Sequence, residues 1–311
     1  MRVNSKIESI LIYFFSGTGN TKRVTKYIAD EFRKKNVNTD IVNIENADAH
    51  ELNHNTYDII GFGYPVHAFN APEYVLKFIE NIENKKSESP KKCFVFKTAG
   101  DSFMNGGSTH IVRKYLEEQG LSVYYERLFV MPANVLMAFE RSLIKQLVLL
   151  SQKTARSLVE DILIQKERLQ KNTWFNRIST KIFSKMESWG IKKLGKRFKT
   201  AQSCTQCGIC EKICPTNNIS IHNNLVKHGE KCMLCMRCIY TCPENAINIP
   251  YMNFFTIKKY DYTQKFVDEV VNDTEIEPNF LSSDTKGYFK HYYKFFKRDL
   301  ENLNVDANQS D

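Results

Sequence analysis

No run of about 18 consecutive apolar residues occurs in the sequence, so we expect no membrane-spanning helix. Residues 1–9 lack an apolar core followed by a cleavage site, and we therefore expect no secretory signal. The composition is that of an ordinary globular protein, with 311 residues, 42% hydrophobic and 25% charged, which is enough chain for two domains. Reduced thiols and a cytoplasmic location are the consistent expectation.

Two kinds of recognition signature are also missing. The sequence has no Gly-x-Gly-x-x-Gly nicotinamide fingerprint, so direct hydride uptake from NADH is not indicated. It has no helix-turn-helix, zinc-finger or aromatic RNA-binding signature. Nucleic acid is therefore not an expected partner, although the formal net charge is +9.

Cysteine is concentrated in one segment, where eight of the nine cysteines form two copies of one spacing that ends in Cys-Pro. These residues are Cys204, Cys207, Cys210, Cys214, Cys232, Cys235, Cys238 and Cys242. The two copies are 28 residues apart, and the same offset aligns Asn217 with Asn245 and Ile219 with Ile247, so the segment is an internal repeat.

This spacing predicts two 4Fe-4S clusters, because three closely spaced thiolates can wrap three irons of a cube and a distant cysteine can close it. In this motif the fourth cysteine ligates the other cluster. The predicted ligand sets are Cys204, Cys207, Cys210 and Cys242 for one cluster, and Cys232, Cys235, Cys238 and Cys214 for the other. The alternatives are zinc, which favours separated Cys-x-x-Cys pairs or includes histidine, and disulfides, which belong to oxidising compartments.

Few large apolar residues lie between these cysteines, so the segment at about 200–250 is expected to unfold when iron is lost. The segment resembles the bacterial-type two-cluster ferredoxins.

The first 130 residues alternate between apolar runs and amphipathic stretches, which predicts an α/β fold with a doubly wound parallel sheet. The five predicted strands are 10–15, 41–44, 57–62, 93–96 and a segment within 121–130. Asn70 is predicted to cap a helix that has Pro72 near its first turn.

The turn after the first predicted strand has the chemistry of a phosphate site. It consists of Ser16, Gly17, Thr18, Gly19, Asn20 and Thr21. Glycines allow close approach to the backbone, and the following helix supplies N–H groups and the positive end of its dipole. Because the turn lacks the P-loop lysine, it favours a phosphomonoester held mainly by neutral groups, as in a mononucleotide flavin.

Through these residues, the segment of about residues 6–135 resembles the flavodoxins. The absence of a long insertion in the fifth strand indicates the short-chain form of that family. The resemblance implies an FMN at the carboxyl ends of the strands. It also implies that two further loops hold the flavin ring. They comprise Tyr64, Pro65, Val66, His67, Ala68, Phe69 and Asn70, and then Thr98, Ala99, Gly100 and Asp101.

Several of these residues have simpler interpretations. Tyr64, Phe69 and Phe103 either stack on the flavin or pack in the protein. His67 either lies near the flavin edge or is an exposed loop histidine, which is the commoner case. Asp101 either accepts from a ring N–H or caps the following helix. Cys93, the ninth cysteine, is expected in the core.

Residues 166–199 contain 11 Lys or Arg and two Glu, which accounts for the whole formal charge of +9. Apolar residues recur at helical steps on both sides of this region. They are Leu143, Leu147, Leu150, Leu158 and Ile162, followed by Ile178, Ile182, Phe183, Met186 and Trp189. We favour a bridge that packs between two domains over a basic helix on an anionic membrane.

The sequence therefore predicts four parts: a flavodoxin-like FMN-binding domain (1–137), a basic helical linker (138–199), a ferredoxin domain with two 4Fe-4S clusters (200–250) and a C-terminal extension (251–311). The extension is expected to contain a helix with Tyr288, His291, Tyr292, Phe295 and Phe296 on one side, and to fray from Asn304.

The arrangement resembles the flavodoxin-ferredoxin fusion proteins. This resemblance implies a low-potential electron carrier that converts between two-electron and one-electron steps and exchanges electrons with redox protein partners. The alternative is a flavin-dependent reductase of a small substrate, fed by its own clusters. Donor, acceptor and oligomeric state are not encoded in recognisable motifs.

Overall fold

The computed structural model describes residues 6–47, 56–67, 69–82, 90–102, 106–170, 190–223, 225–250, 256–257 and 263–307. The predictions for Ala68, for Phe103 and for linker residues 171–189 lie outside these ranges. No helix among the described residues is long and apolar enough to cross a membrane.

The N-terminal domain is built on a five-stranded parallel sheet with the strand order 2-1-3-4-5. Its strands are β1 (Ser9–Phe14), β2 (Asn38–Asn43), β3 (Ile59–Pro65), β4 (Lys91–Ala99) and β5 (Leu121–Val130). All five strands were predicted within a few residues, and the predicted α/β fold class is confirmed.

Helices cover both faces of this sheet. They are α1 (Asn20–Lys34), α2 (Glu73–Glu80), α3 (Gly106–Glu118) and α4 (Arg141–Leu163). Ile10 and Ile12 of β1 pack in the layer of α1 and α4, whereas Leu11 and Tyr13 pack in the layer of α2 and α3. Because successive side chains of a strand point to opposite faces, a strand buried on both faces is almost continuously apolar.

The start of α2 differs from the prediction that Asn70 caps it. The N-cap position is Pro72, and Asn70 Oδ1 instead accepts a hydrogen bond from the neighbouring Ala71 N–H. Asn70 also exchanges two backbone hydrogen bonds with His67, which closes a tight loop. The Asn70 side chain is therefore used within the loop, and the helix begins later.

The helix α4 lies in the region that the sequence assigned to the linker. Its residues Leu143, Leu147 and Leu158 are buried in the same core cluster as α1. The boundary predicted at residue 137 separates α4 from the sheet on which it packs. The apolar side of α4 was recognised correctly, but its partner is the N-terminal domain.

A small cysteine-rich unit follows, comprising residues 199–250. The strand β6 (Lys199–Thr200) pairs antiparallel with β9 (Ile247–Asn248), and β7 (Ile219–His222) pairs antiparallel with β8 (Leu225–His228). Its two short helices are α6 (Ile209–Lys212) and α7 (Arg237–Tyr240). A further helix, α5, has described residues 190–196 and leads into this unit.

The internal repeat is visible in the backbone of the cysteine-rich unit. Asn217 and Asn245 both adopt left-handed backbone angles, with φ of 48° and 47°. Asparagine tolerates this conformation better than other residues with a side chain, which explains why both copies carry it. Gln206 and Leu234 form a second left-handed pair at the same offset, with φ of 57° and 54°.

The C-terminal segment packs back onto the N-terminal domain through α8 (Gln264–Asn272) and α9 (Lys290–Ala307). Both helices bury residues against α4. Helix α9 is also fixed by an ion pair of 2.9 Å between Asp299 Oδ1 and Arg127 Nη2 of β5, whose side chains are 7% and 2% exposed. The helix continues past Asn304, where fraying was predicted, and Tyr288 lies in the 3-10 turn Gly287–Phe289 before it.

Candidate cofactor sites

The first candidate site lies at the carboxyl ends of the strands, around the phosphate loop (residues 16–21). The loop runs from β1 into α1, whose N-cap Gly19 has φ of 111°, a value that favours glycine. The Gly19 N–H donates to Ser16 Oγ at 3.2 Å. The loop thus places backbone N–H groups and hydroxyls around the N-terminus of α1, where an anion is stabilised.

Two other loops meet the phosphate loop at this edge of the sheet. The Oγ1 atoms of Thr21 and Thr98 are 2.8 Å apart, which ties the phosphate loop to the end of β4. Asn20 Nδ2 donates to the carbonyl of Pro132 at 2.8 Å, and Asn134 Nδ2 donates to Thr18 Oγ1 at 3.3 Å. These bonds hold the loop in place through groups that follow β4 and β5.

A cavity of about 380 Å³, open mouth included, lies between these loops. The predicted site residues that line it are Ser16, Gly17, Thr18, Asn20, Thr21, Pro65, Val66, His67, Thr98, Ala99 and Gly100. Sequence reasoning missed two lining residues, Pro132 and Asn134. Their position just after β5 was the available signal, because the carboxyl ends of parallel strands meet at one edge.

Among the described residues of the prediction, Gly19, Tyr64, Phe69, Asn70 and Asp101 do not line the cavity. Tyr64 is fully buried in the core beside α2 and α3, and burial raises the pKa of its hydroxyl. Of the two interpretations of Tyr64, the structure supports packing in the protein, because the alternation of β3 turns this side chain into the core. Phe69 is 37% exposed and has φ of 62°.

His67 lies on the wall of the cavity and is not the exposed loop histidine that the sequence favoured. Its Nδ1 atom is buried and has no hydrogen-bond partner in the part of the chain that the structure describes. Burial lowers the pKa of His67 to about 4, so the imidazole is neutral at physiological pH. A neutral ring with a buried, unsatisfied nitrogen is suited to a bound ligand that supplies a hydrogen bond.

Asp101 belongs to a different environment from the one predicted. His291 Nε2 of α9 lies 2.8 Å from Asp101 Oδ2, and the Tyr288 hydroxyl donates to the same oxygen at 3.2 Å. The Tyr292 hydroxyl donates to the carbonyl of Gly100 at 2.5 Å. The C-terminal helix therefore fixes the loop after β4, which is a role that no sequence motif indicated.

The eight repeat cysteines line two cavities in the cysteine-rich unit. We call them the near and the far cavity by their distance from the phosphate loop. The near cavity has about 410 Å³ of empty space and is lined by Cys214, Cys232, Cys235 and Cys238. The far cavity has about 390 Å³ and is lined by Cys204, Cys207, Cys210 and Cys242. These are the two crossed ligand sets that the repeat predicted.

Backbone N–H groups point at the cysteine sulfurs in the same pattern at both cavities. Asn218 N–H donates to Cys214 Sγ at 3.2 Å, and Ala246 N–H donates to Cys242 Sγ at 3.3 Å. Donors of this kind stabilise the negative charge of thiolates and tune the potential of a cluster. In the described ranges no three His, Cys, Asp or Glu side chains converge on a point, as they would around a single metal ion.

The near cavity lies directly against the phosphate loop. A Cβ atom added to Gly17 would lie 2.8 Å from the carbonyl oxygen of Cys235 and 3.3 Å from its Cβ. Cys235 and Met233 pack against the core layer of α2 and α3. On its other side the near cavity meets α5, where a Cβ on Gly195 would lie 2.1 Å from the Cβ of Cys232.

The far cavity includes the exposed Cys207. A ligand of the far cavity is thus open to solvent, whereas Cys235 of the near cavity is half-buried and packs against the N-terminal domain. Cys93 is fully buried in β4, as predicted, and lines neither cavity.

The residues present fit the groups that the sequence predicted. Each cysteine cavity offers four thiols with N–H donors, and the strand-end cavity combines a helix N-terminus with hydroxyls and the unsatisfied His67 nitrogen. The thiols would hold iron, and the phosphate loop would hold a phosphomonoester.

Comparisons with known proteins agree with this division. The family model described as a flavodoxin domain matches residues 11–154, and the model described as a 4Fe-4S dicluster domain matches residues 203–246. An uncharacterized protein of Methanocaldococcus jannaschii is 29% identical over 120 residues, which cover 39% of this chain and 73% of that protein.

Three solved structures illustrate the structural likeness. Oxidised flavodoxin 2 of Bacillus cereus is 21% identical, with a TM-score of 0.40 over 50% of this chain and 99% of that one. Two-electron reduced flavodoxin of Megasphaera elsdenii is 21% identical, with a TM-score of 0.33 over 40% and 89%. Rubredoxin oxygen:oxidoreductase of Desulfovibrio gigas is 17% identical, with a TM-score of 0.32 over 51% and 37%.

Proposed function

We propose that this chain, which combines a flavodoxin domain with a 4Fe-4S dicluster domain and so has an electron-transfer role, relays electrons between an FMN in the strand-end cavity and two 4Fe-4S clusters in the cysteine cavities. When bound, the flavin exchanges electrons in pairs or singly and each cluster exchanges one at a time, so the chain converts between two-electron and one-electron partners. The thiols require a reducing compartment, which we take to be the cytoplasm.

The observation that carries this proposal is the contact between Gly17 of the phosphate loop and Cys235 of the near cavity. Gly17 lies in the loop proposed to bind the FMN phosphate, and Cys235 is a proposed cluster ligand. Because these two residues touch, the FMN site and the near cluster belong to neighbouring positions in one relay. Electron transfer falls steeply with distance, so this arrangement favours exchange between them.

The order of the relay follows from burial. Cys235 is half-buried and packs against the N-terminal domain, whereas Cys207 at the far cavity is exposed. We therefore infer the order FMN, near cluster, far cluster, external redox protein. His67, Thr98 and the hydroxyls of the phosphate loop would bind and orient the flavin, and the backbone N–H groups around the sulfurs would stabilise the negative charge of the clusters.

The test is anaerobic reduction of the reconstituted protein by a small ferredoxin, followed through flavin absorbance. In Cys207→Ala the far cluster is expected to be lost, and the flavin should bleach at least about tenfold more slowly than in the wild type. Cys93→Ala is the matched control, because that cysteine lines neither cavity. Bleaching of Cys207→Ala at the wild-type rate, with the far cluster absent, would show that the relay does not run in this order.

A further inference from the structure

The side chain of Arg237, which lies in α7 between the proposed ligands Cys235 and Cys238, links the two domains. Its side chain is only 20% exposed. A guanidinium carries five N–H donors in a rigid planar fork. In this structure each of the five donors has an acceptor, and the acceptors come from three separate segments of the chain.

Two of the acceptors are carbonyls of the phosphate loop. Arg237 Nε donates to the Gly17 carbonyl at 3.0 Å, and Nη2 donates to the Ser16 carbonyl at 2.6 Å. Because these carbonyls are held from outside, the N–H groups of the same loop are held in their orientation toward the cavity. Arg237 thereby acts on the phosphate site without lining it.

The remaining acceptors complete the link. Glu45, in the 3-10 turn after β2, accepts from Nη1 at 2.6 Å and from Nη2 at 2.9 Å in a bidentate pair. The Ile213 carbonyl, directly before the near-cavity ligand Cys214, accepts from Nη1 at 3.1 Å. A paired carboxylate matters because it offsets the cost of burying the guanidinium charge.

One side chain therefore joins the phosphate loop to both chain segments that carry the cysteines of the near cavity. The segment of Cys214 is held through the Ile213 carbonyl, and the segment of Cys235 and Cys238 is the one in which Arg237 itself lies. The hydrogen bonds of the guanidinium thus form a direct path from the near-cavity loops to Ser16 and Gly17.

Resting on the function proposed above, we propose that Arg237 is a positioning residue that couples FMN binding to assembly of the near cluster. Occupation of the near cavity fixes the cysteine loops and holds the phosphate loop in its binding form through Arg237. By linkage the effect is reciprocal, so bound FMN also favours retention of the near cluster. The chain would thus bind flavin tightly only when the relay next to it is in place.

The test measures FMN affinity by fluorescence quenching, with and without clusters, in the full chain under anaerobic conditions. In the wild type, removal of the clusters by a chelator is expected to weaken FMN binding by about 5- to 150-fold, the usual range for coupled sites. In Arg237→Gln the cluster-loaded protein should already bind FMN weakly, and removal of the clusters should change its affinity by less than about twofold.

Two further variants separate coupling from general damage. Glu45→Gln keeps the carbonyl contacts of Arg237 but removes its charged partner, so it should reduce the ratio of loaded to stripped affinity. Lys196→Gln removes an exposed ion pair with Glu230 at the surface of α5 and should keep the wild-type ratio. If Arg237→Gln does not retain clusters, Glu45→Gln provides the same comparison.

An unchanged ratio in both Arg237→Gln and Glu45→Gln, or equal FMN affinity of loaded and stripped wild type, would overturn the coupling. Iron content and the half-life of cluster loss, measured with and without FMN, give a second readout that does not depend on electron transfer. If FMN and the clusters exchange electrons normally while this coupling is absent, the proposed function stands and only the role of Arg237 is refuted.

Discussion

Replacement of Gly195 by alanine should remove the near cluster and leave the far cluster in place. Gly195 lies in α5, and an added Cβ would lie 2.1 Å from the Cβ of Cys232 and 2.9 Å from its Sγ. Ordinary contacts of a Cβ begin at 3.4 Å, so the two groups must separate by about 1.3 Å. Because a Cβ is fixed to the backbone, rotation of a side chain cannot provide this separation.

The required shift can be compared with what a metal site tolerates. Ligand distances in such sites hold to within roughly 0.2 Å, so a displacement of about 1.3 Å takes the Cys232 sulfur out of bonding range. Overpacking a well-filled contact costs typically about 1–3 kcal/mol, which is enough to favour loss of the cluster over a strained fit. The far cavity contains no atom of Cys232 and is not affected directly.

The assay is the iron and acid-labile sulfide content of anaerobically reconstituted protein, together with electron paramagnetic resonance of the reduced form. We expect Gly195→Ala to lose about half of the iron and sulfide and to show the signal of one isolated cluster. Gly190→Ala is the matched control, because a Cβ at this residue of the same helix meets nothing within 4 Å. The control should retain the full content.

Full iron content and an unchanged spectrum of Gly195→Ala would refute this reasoning. They would mean that α5 moves away from the cysteine-rich unit at little cost. In that case the ion pair of 2.9 Å between Lys192 and Glu73 of α2, which joins α5 to the N-terminal domain, should also be dispensable. Lys192→Gln would then leave cluster retention unchanged as well.

Three further predictions concern the N-terminal domain. Burial lowers the pKa of Lys97 to about 7, below its ordinary 10.5. Between these two pH values the unfolded chain binds more protons than the folded one, so the free energy of unfolding should rise with pH. Measured by urea unfolding, Lys97→Met should therefore stabilise the protein more at pH 6 than at pH 10, by up to about 4 kcal/mol. No difference between the two pH values would contradict this. His291→Ala removes a donor 2.8 Å from Asp101 and should weaken FMN binding about tenfold in fluorescence titration. An unchanged affinity would mean that the loop after β4 does not contact the flavin. Asp299→Asn leaves the buried Arg127 charge without its partner and should cost about 3–5 kcal/mol; a thermal midpoint equal to the wild type would refute the role of this pair.

The sequence predicted the repeated features and those with a fixed spacing. The crossed cysteine sets were readable because the ligand chemistry of a cube fixes the spacing, and the strands were readable because burial on both faces gives apolar runs. The phosphate loop was readable because glycine and hydroxyl residues mark it. The choice between stacking and packing for Tyr64 stayed open because a shift of one residue along a strand decides whether a side chain faces the core or the loop.

Contacts between segments distant in the chain were not predictable in this way. Gly17 and Cys235 touch across 218 positions, and nothing in either local pattern indicates the other residue. The same holds for Asp101 and its partners, His291 of α9 and Tyr288 of the turn before it. Arginine next to a cluster cysteine is uninformative by itself, because its meaning comes from the acceptors that surround it.

The asymmetry between the two cysteine cavities follows from these unpredicted contacts. The repeat makes the two sites nearly equal in sequence and in local hydrogen bonds, as the matching donors to Cys214 and Cys242 show. Docking on the N-terminal domain distinguishes them, because Cys235 packs against that domain and Cys207 is exposed. Burial and nearby charge shift the potential of a cluster. Arg237 lines the near cavity alone, but Glu45 neutralises its charge, so the two cluster potentials should differ mainly through burial, and a redox titration that resolves two cluster potentials would check this.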